Sequence, residues 1–170
     1  PMRATSGGGE EGKVAFDSFD SPAAITVEMP REGHMYDART GKYHGQGTRF
    51  RDRFDPMDAK LYSLLPYRVK KLSARAVGNA RAGRDAKVRV ELTVDGGRPG
   101  RHVIRCDVYD PNGKWRSEYS ANVVIDGGRG ELSLPLAESD RPGSWRLELV
   151  DRVTGLKASA RARVRSAGRR

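Results

Sequence analysis

The stretch Lys87-Val88-Arg89-Val90-Glu91-Leu92-Thr93-Val94 alternates charged or polar residues with apolar ones at every position. Successive side chains of a β-strand point to opposite faces, so this alternation predicts a strand with one face in a core and one in water. The buried face would consist of Val88, Val90, Leu92 and Val94. Such a strand needs a second layer over its apolar side, which favours a β-sandwich.

The same period of two recurs along the chain, and no stretch of ten or more residues keeps a helical stripe. The further predicted strands are short and are bounded by turn residues. They are Ile25–Met29, Met35–Ala38, Arg49–Phe54, Lys60–Leu65, Val69–Val77, His102–Tyr109, Ala121–Ile125, Glu131–Leu136, Ser144–Val150 and Ala158–Val164.

Clusters of Asp, Pro, Asn and Gly separate the later strands. Proline fixes φ at the first turn position, Asn and Asp bond their own backbone, and glycine supplies positive φ, so these clusters predict hairpins. They are Asp95–Gly100, Asp110–Gly113, Asp126–Gly128, Asp140–Gly143 and Asp151–Gly155. Seven strands between about Leu72 and Arg165 at this spacing predict an immunoglobulin-like antiparallel β-sandwich, and the fold class is all-β.

The chain divides into four predicted parts. Residues 1–13 are rich in Gly and Glu without periodicity and indicate a flexible leader. Residues 14–67 form a smaller β segment, which is short for an independent sandwich and is expected to be the end of one or to pack on its neighbour. The seven-stranded sandwich follows over 68–165, with the boundary near Pro66–Val69, and residues 166–170 form a basic tail.

The formal net charge of +10 is concentrated in the second part of the chain. Basic side chains near the start and the end of the predicted sandwich make a nucleic-acid or polyanion interface one reading of this excess. The other reading is arginines laid on solvated strand faces, since Lys157–Arg165 alternates small apolar residues with arginines, as on a protected edge strand. The candidate polyanion-binding residues are Arg68, Lys70, Lys71, Arg161, Arg163 and Arg165.

Several classes of protein are excluded or disfavoured. No apolar run approaches the roughly 20 residues of a membrane-spanning helix, and the N-terminal residues contain no signal-peptide core. Cys106 is the only cysteine, so an internal disulfide and a cysteine-based zinc site are excluded. Because Cys106 is in phase with Ile104 and Val108, we expect it to be a small buried residue.

No residues form a recognisable catalytic or metal-binding motif. His34 and His44 flank a predicted hairpin that contains Asp37, but their spacing fits no ligand motif, so no metal, no cofactor and no catalytic residue is assigned. His102 is expected to be a partly buried structural histidine. Nucleophile and phosphate-loop motifs are absent from the sequence, and most aspartates open turns, where they cap the backbone.

Three aromatic residues are candidates for stacking on a sugar ring. Tyr36 and Tyr43 would face each other across the first hairpin, and Trp115 follows the Asp-Pro-Asn-Gly turn. The alternative for Trp115 is that it folds back onto its own strand. Trp145 is in phase with Leu147 and is expected to lie in the core.

Two stretches carry a family resemblance. Residues 33–45, with Tyr36-Asp37-Ala38-Arg39-Thr40-Gly41-Lys42-Tyr43, and residues 59–67, ending in Leu65-Pro66-Tyr67, resemble the closing β-domain of large bacterial glycoside-hydrolase-like proteins, including β-galactosidase-like ones. The later stretches Arg101–Lys114, Leu134–Ala137 and Pro142–Trp145 resemble the macroglobulin-like or immunoglobulin-like modules appended to such proteins.

This resemblance implies a non-catalytic accessory module of a larger exported bacterial protein. It would brace a catalytic domain, contact other domains of the same polypeptide, or hold a polysaccharide; no catalytic residue carries over, because the family's active-site motifs are not in these residues. A stand-alone basic protein that binds nucleic acid or another polyanion is the alternative. A small enzyme using His34, Asp37 and His44 is a third and weaker hypothesis.

Overall fold

A computed structural model describes residues 21–56 and 58–167. The expected leader over 1–13, residues 14–20 and the last three residues of the basic tail lie outside this range. The described residues form eleven strands and one 3₁₀ turn at Ser117–Tyr119. The strands are β1 (Ala23–Asp37), β2 (Tyr43–Phe54), β3 (Tyr62–Leu65), β4 (Arg68–Val77), β5 (Ala80–Arg81), β6 (Asp85–Asp95), β7 (His102–Tyr109), β8 (Ala121–Ile125), β9 (Arg129–Pro135), β10 (Gly143–Asp151) and β11 (Lys157–Arg165).

The larger part of the fold is an immunoglobulin-like β-sandwich, as the sequence predicts. One sheet has the strand order β4-β6-β9 and the other β5-β11-β10-β7-β8. The inward residues of β6 and β10 are almost completely buried and alternate with exposed or half-buried ones, which is the pattern quoted for residues 87–94. Trp145 is fully buried in this core, and so is Cys106, whose thiol has a pKa raised by burial to about 12.

Two features of the strands differ from the prediction. The sequence predicts seven strands in the sandwich, whereas the structure has an eighth, β5, whose two residues are too few to show a period. β5 pairs in parallel with the last two residues of β11, so β11 is not the outermost strand of its sheet. The predicted strands 25–29 and 35–38 are one long strand, β1, with an irregular register between Glu28 and Gly33.

The five turn clusters form two kinds of connection, between strands of one sheet and between strands of opposite sheets. Asp151–Gly155 closes the β10–β11 hairpin, and Asp110–Gly113 lies between the paired strands β7 and β8. The clusters at 95–100, 126–128 and 140–143 instead connect strands of opposite sheets, so the prediction that they join paired strands is wrong, although Asp126 and Arg129 form an isolated antiparallel bridge across the turn at 127–128. The turn chemistry is the same for a hairpin and for a crossing between sheets, and only the tertiary packing separates them.

The strands before the sandwich form a sheet of their own, in the order β2-β1-β3. Tyr36 and Tyr43 are direct cross-strand neighbours in it, as predicted. The Tyr36 hydroxyl accepts a hydrogen bond from the Val69 backbone N–H at 2.8 Å, and Tyr36 belongs to the sandwich core. The Ser63 hydroxyl donates to the Val153 carbonyl at 2.6 Å, so this sheet packs directly on the sandwich.

Two turns of like sequence meet at this junction. Asp37-Ala38-Arg39-Thr40-Gly41 joins β1 to β2, and Asp151-Arg152-Val153-Thr154-Gly155 joins β10 to β11. In each turn the glycine N–H donates to the aspartate carbonyl. The two glycines lie against each other so closely that a Cβ on Gly155 would lie 2.4 Å from the Gly41 Cα. No helix among the described residues is long and apolar enough to cross a membrane.

Candidate functional site

A row of four side chains crosses the outer face of the five-stranded sheet. Arg161 on β11 lies directly opposite Arg146 on β10, and Arg146 lies opposite Tyr109 on β7. Trp115 forms an isolated bridge with Tyr109 and so extends the row by one more position. Neighbouring strands are about 5 Å apart, so the four positions span about 15 Å. We call Arg161, Arg146, Tyr109 and Trp115 the mixed row.

The turn after β7 places Trp115 on this surface. Asp110 opens the turn, and its side chain accepts hydrogen bonds from the backbone N–H groups of Asn112 and Lys114. Trp115 follows, with 48% of its surface exposed, and its indole N–H donates to Asp107 Oδ1 at 3.3 Å. The indole is therefore held beside β7 with a large part of its surface open to water.

The arginines of the row have different surroundings. The Arg146 guanidinium lies 4.1 Å from the centre of the Tyr109 ring and pairs with Glu148. Arg161, Arg163 and Arg165 project from the exposed side of β11, and Arg165 lies opposite Arg81 of β5. Among the described residues, no carboxylate lies within ion-pair distance of Arg81 or of the three β11 arginines.

Two carboxylates lie in the row next to this one. Glu148 on β10 is directly opposite Asp107 on β7, and Arg105 pairs with Asp107 at 2.8 Å. Carboxylates accept hydrogen bonds from hydroxyl groups, and exposed aromatic rings stack on the apolar faces of sugar rings. The surface thus combines a ring, hydrogen-bond acceptors and guanidinium donors on one open sheet face.

Tyr36 and Tyr43 do not belong to this surface. Tyr36 is 3% exposed, so its ring face is not available to a sugar, and burial is the main cause that raises the pKa of its hydroxyl. The Tyr43 ring is half-buried beneath the Arg68 guanidinium, 4.7 Å from its centre, and its hydroxyl is 2.7 Å from His34 Nδ1. The prediction that Tyr36 contacts a sugar is wrong for this reason, and only Trp115 of the three candidates is well exposed.

The six predicted basic residues do not form one patch with free charges. Arg68 stacks on Tyr43, and the Lys70 ammonium lies 3.2 Å from Asp95. Lys71 is exposed on β4, in the other sheet. Arg161, Arg163 and Arg165 lie together along β11 and form the basic half of the candidate surface.

The histidines and Asp37 do not come together as a site. Asp37 caps its own turn by accepting from the backbone N–H groups of Arg39 and Thr40. His44 is buried, with its Nε2 3.8 Å from Asp52, and burial is the main cause that lowers its pKa. His102 is fully buried between Tyr67 and Asp151, each 3.0 Å away. Within residues 21–56 and 58–167, no cluster of three or more potential metal ligands occurs.

No local sequence signal marks Tyr109, Arg146 or Arg81 as functional residues. Tyr109 and Arg146 occupy outward positions of two predicted strands, so their faces follow from the period of two. Their adjacency to Trp115 and Arg161 depends on strand order and register, which local sequence does not specify. Arg81 lies on the two-residue strand that the period misses.

Comparisons with known proteins add little to this description. No protein-family model matches the chain, and no curated protein matches it. Among solved structures, the CARDB domain of the PF1109 protein from Pyrococcus furiosus, in complex with di-metal ions, is similar with 12% identity and a TM-score of 0.40. That similarity covers 62% of this chain and 100% of that chain.

Proposed function

We propose that the chain is a non-catalytic accessory β-sandwich module of a larger exported bacterial carbohydrate-active protein, and that it holds a polysaccharide on the mixed row. The observation that carries the proposal is the Trp115 indole, 48% exposed and fixed beside Tyr109 on an open sheet face. Tryptophan is enriched where proteins meet partners because its ring is apolar and its N–H is polar, and aromatic rings suit the flat apolar faces of sugars.

The surroundings of the indole favour binding over catalysis. Asp107 and Glu148 face each other beside the row, but each pairs with an arginine on a face that does not exclude water. Acid catalysis of glycoside cleavage needs a carboxyl group kept protonated, usually by a dry environment, and these two carboxylates have the opposite surroundings. They are better suited to accept hydrogen bonds from sugar hydroxyls.

The first sheet suits the second part of the proposal, contact with other domains of the same polypeptide. Over residues 23–33, where β3 does not pair with β1, the strands β1 and β2 form a two-stranded ribbon with Ile25, Val27 and Phe50 on one face. Phe54 continues this face and is 37% exposed. An apolar face on a two-stranded ribbon is stabilised by packing on a neighbouring surface. The Gly41–Gly155 contact would transmit that anchoring to the sandwich.

The test is affinity electrophoresis of the chain in gels containing a panel of neutral and acidic polysaccharides. We expect at least one polysaccharide to retard the parent protein, and Trp115→Ala to weaken that retardation about tenfold, since loss of a stacking ring costs 1–2 kcal/mol or so. Val124→Ala is the matched control, because Val124 is 62% exposed on β8 in the same sheet. Equal retardation of the Trp115→Ala variant and the parent would contradict the proposed site.

A further inference from the structure

We propose that the polysaccharide is acidic, a polymer of uronic-acid type, and that Arg161, Arg146 and the neighbouring β11 arginines bind its carboxylates. This inference rests on the proposed function and names the ligand class of the same site. The carrying observation is the juxtaposition of the exposed Trp115 indole with arginines along one row of strands, with the half-buried Tyr109 between them under the Arg146 guanidinium.

Two pairs of arginines on this face repel each other. In the mixed row Arg146 lies directly opposite Arg161, and beside the row Arg165 lies directly opposite Arg81. Like charges at directly opposed positions destabilise a sheet, and no carboxylate of the described chain lies within ion-pair distance of Arg81, Arg161 or Arg165. An anionic ligand that binds between these residues relieves the repulsion, so binding of an anion here is favoured over binding of a neutral chain.

The geometry suits a carboxylated sugar polymer. Arg161, Arg163 and Arg165 point from the same side of β11 at intervals of about 7 Å, which is two residues of a strand. A guanidinium presents a planar fork that matches a carboxylate with two parallel hydrogen bonds. A sugar ring stacked on Trp115 places the next units of the chain over Tyr109, Arg146 and Arg161, which follow one another at the next three positions of the row.

The acidic residues beside the row argue for a sugar polymer over a nucleic acid. Asp107 lies within hydrogen-bond distance of the Trp115 indole, and Glu148 is next to Arg146 along β10. These carboxylates repel phosphates and uronate carboxylates alike, but they also accept hydrogen bonds from free sugar hydroxyls, which a uronic-acid polymer carries on each unit and the DNA backbone lacks. Surfaces for single-stranded nucleic acid interleave aromatic with basic side chains, but here the aromatic residues lie at one end of the row and the unpaired arginines at the other.

The experiment compares polygalacturonate with its fully methyl-esterified form in affinity electrophoresis and isothermal titration. The two polymers share sugar rings and backbone, and differ in whether the carboxyl group is charged. We expect binding to polygalacturonate, roughly tenfold or more weaker binding to the ester, and roughly a hundredfold loss in the Arg161→Gln/Arg163→Gln variant, about tenfold for each charged contact.

The matched control is the Arg75→Gln/Arg89→Gln variant. It removes the same charge from exposed strand positions on the outer face of the other sheet, where Arg75 and Arg89 are also directly opposed. We expect it to bind polygalacturonate within about twofold of the parent, because screening at physiological salt limits the reach of a distant charge to roughly 8 Å.

The possible negative results contradict different parts of the two proposals. Trp115-dependent binding of ester and acid alike would overturn the acidic ligand and leave the proposed function standing. Binding to neither polymer nor to any other polysaccharide would overturn both. Tighter binding of single-stranded DNA than of polygalacturonate, or equal losses in the two double-arginine variants, would overturn the inference in favour of general attraction to polyanions.

Discussion

Each sheet of the sandwich carries a row of side chains on its outer face. The two rows share a pair of opposed arginines and differ in the residue on the third strand. On the three-stranded sheet Arg75 lies opposite Arg89, and Arg89 lies opposite Glu131. On the five-stranded sheet Arg161 lies opposite Arg146, and Arg146 lies opposite Tyr109. The third strand therefore supplies an acid in one row and an aromatic ring in the other.

The difference extends to the neighbours of each row. Around Glu131 the charges are matched within the chain, with Lys87 bound to Glu131 at 2.9 Å and Arg129 to Glu91 at 3.3 Å. Among the described residues, neither Arg75 and Arg89 nor the exposed arginines of β11 have a carboxylate within ion-pair distance. The two faces therefore differ in the acidic residues that surround the arginines and in the residue on the third strand. Solvated arginines account for the first face, and the second face is the one that the proposal assigns to a ligand.

The largest expected effect on stability comes from a substitution in the turn that joins β10 to β11, the two strands that carry Arg146 and Arg161. Gly155 sets the β10–β11 hairpin, and hence the pairing of Arg146 with Arg161. Its φ is +72°, and an added Cβ would meet Gly41 backbone atoms. We expect Gly155→Ala to lower the free energy of unfolding by about 3 kcal/mol, from backbone strain and overlap together, as measured by urea denaturation.

Gly113 is the matched control for that substitution. Its φ of +78° is similar, but a Cβ there meets nothing within 4 Å. Gly113→Ala carries only the strain of the left-handed conformation, about 1–2 kcal/mol. Equal losses in the two variants would show that the Gly41–Gly155 contact contributes nothing, and that the first sheet is held by its other contacts.

The second prediction concerns a substitution that gives the mixed row the residue pattern of the row on the three-stranded sheet. Tyr109→Glu places a carboxylate opposite Arg146, as Glu131 stands opposite Arg89. We expect roughly a hundredfold weaker binding of polygalacturonate, because the variant loses the ring that holds the Arg146 guanidinium and gains a charge that competes for the arginines, each about tenfold. Isothermal titration measures the affinity, and Tyr109→Phe is the control that keeps the ring. A Tyr109→Glu variant that binds like the parent would show that the third position of the row is irrelevant.

The sequence predicts the composition of both rows but not their assembly. The period of two identifies Arg89, Arg161 and Arg146 as outward residues, and the turn residues delimit their strands. Strand order and register decide whether Glu131 or Tyr109 comes next, and these depend on pairing between segments that are distant in the chain. The hairpin assignments at 95–100, 126–128 and 140–143 fail for the same reason.

The placement of Trp115 shows where local reasoning succeeds. The Asp110-Pro111-Asn112-Gly113 sequence predicts a turn and leaves two placements for Trp115, presented to solvent or folded back on the strand. The structure combines them, since the indole is 48% exposed and its N–H donates to Asp107 of β7. Tyr36 fails because its hydroxyl meets Val69 across the junction of the two parts of the fold. The like turns at Asp37–Gly41 and Asp151–Gly155 are visible in the sequence, but only the fold brings them together.

The smallest expected effect is also the most direct test of the comparison, since replacing an arginine by glutamine should raise stability on one face and not on the other. Arg161→Gln removes a repulsion with Arg146 and should raise the free energy of unfolding by about 0.2–1 kcal/mol in low salt. Arg89→Gln removes an attraction to Glu131 together with a repulsion from Arg75, so its stability should stay level or fall. Added salt should shrink the Arg161→Gln gain, because it screens the repulsion that the variant removes. Urea denaturation of both variants and the parent protein at two ionic strengths measures these differences. If Arg161→Gln is destabilised as much as Arg89→Gln, the β11 arginines are stabilised by their own surroundings. The contrast between the two faces then does not hold.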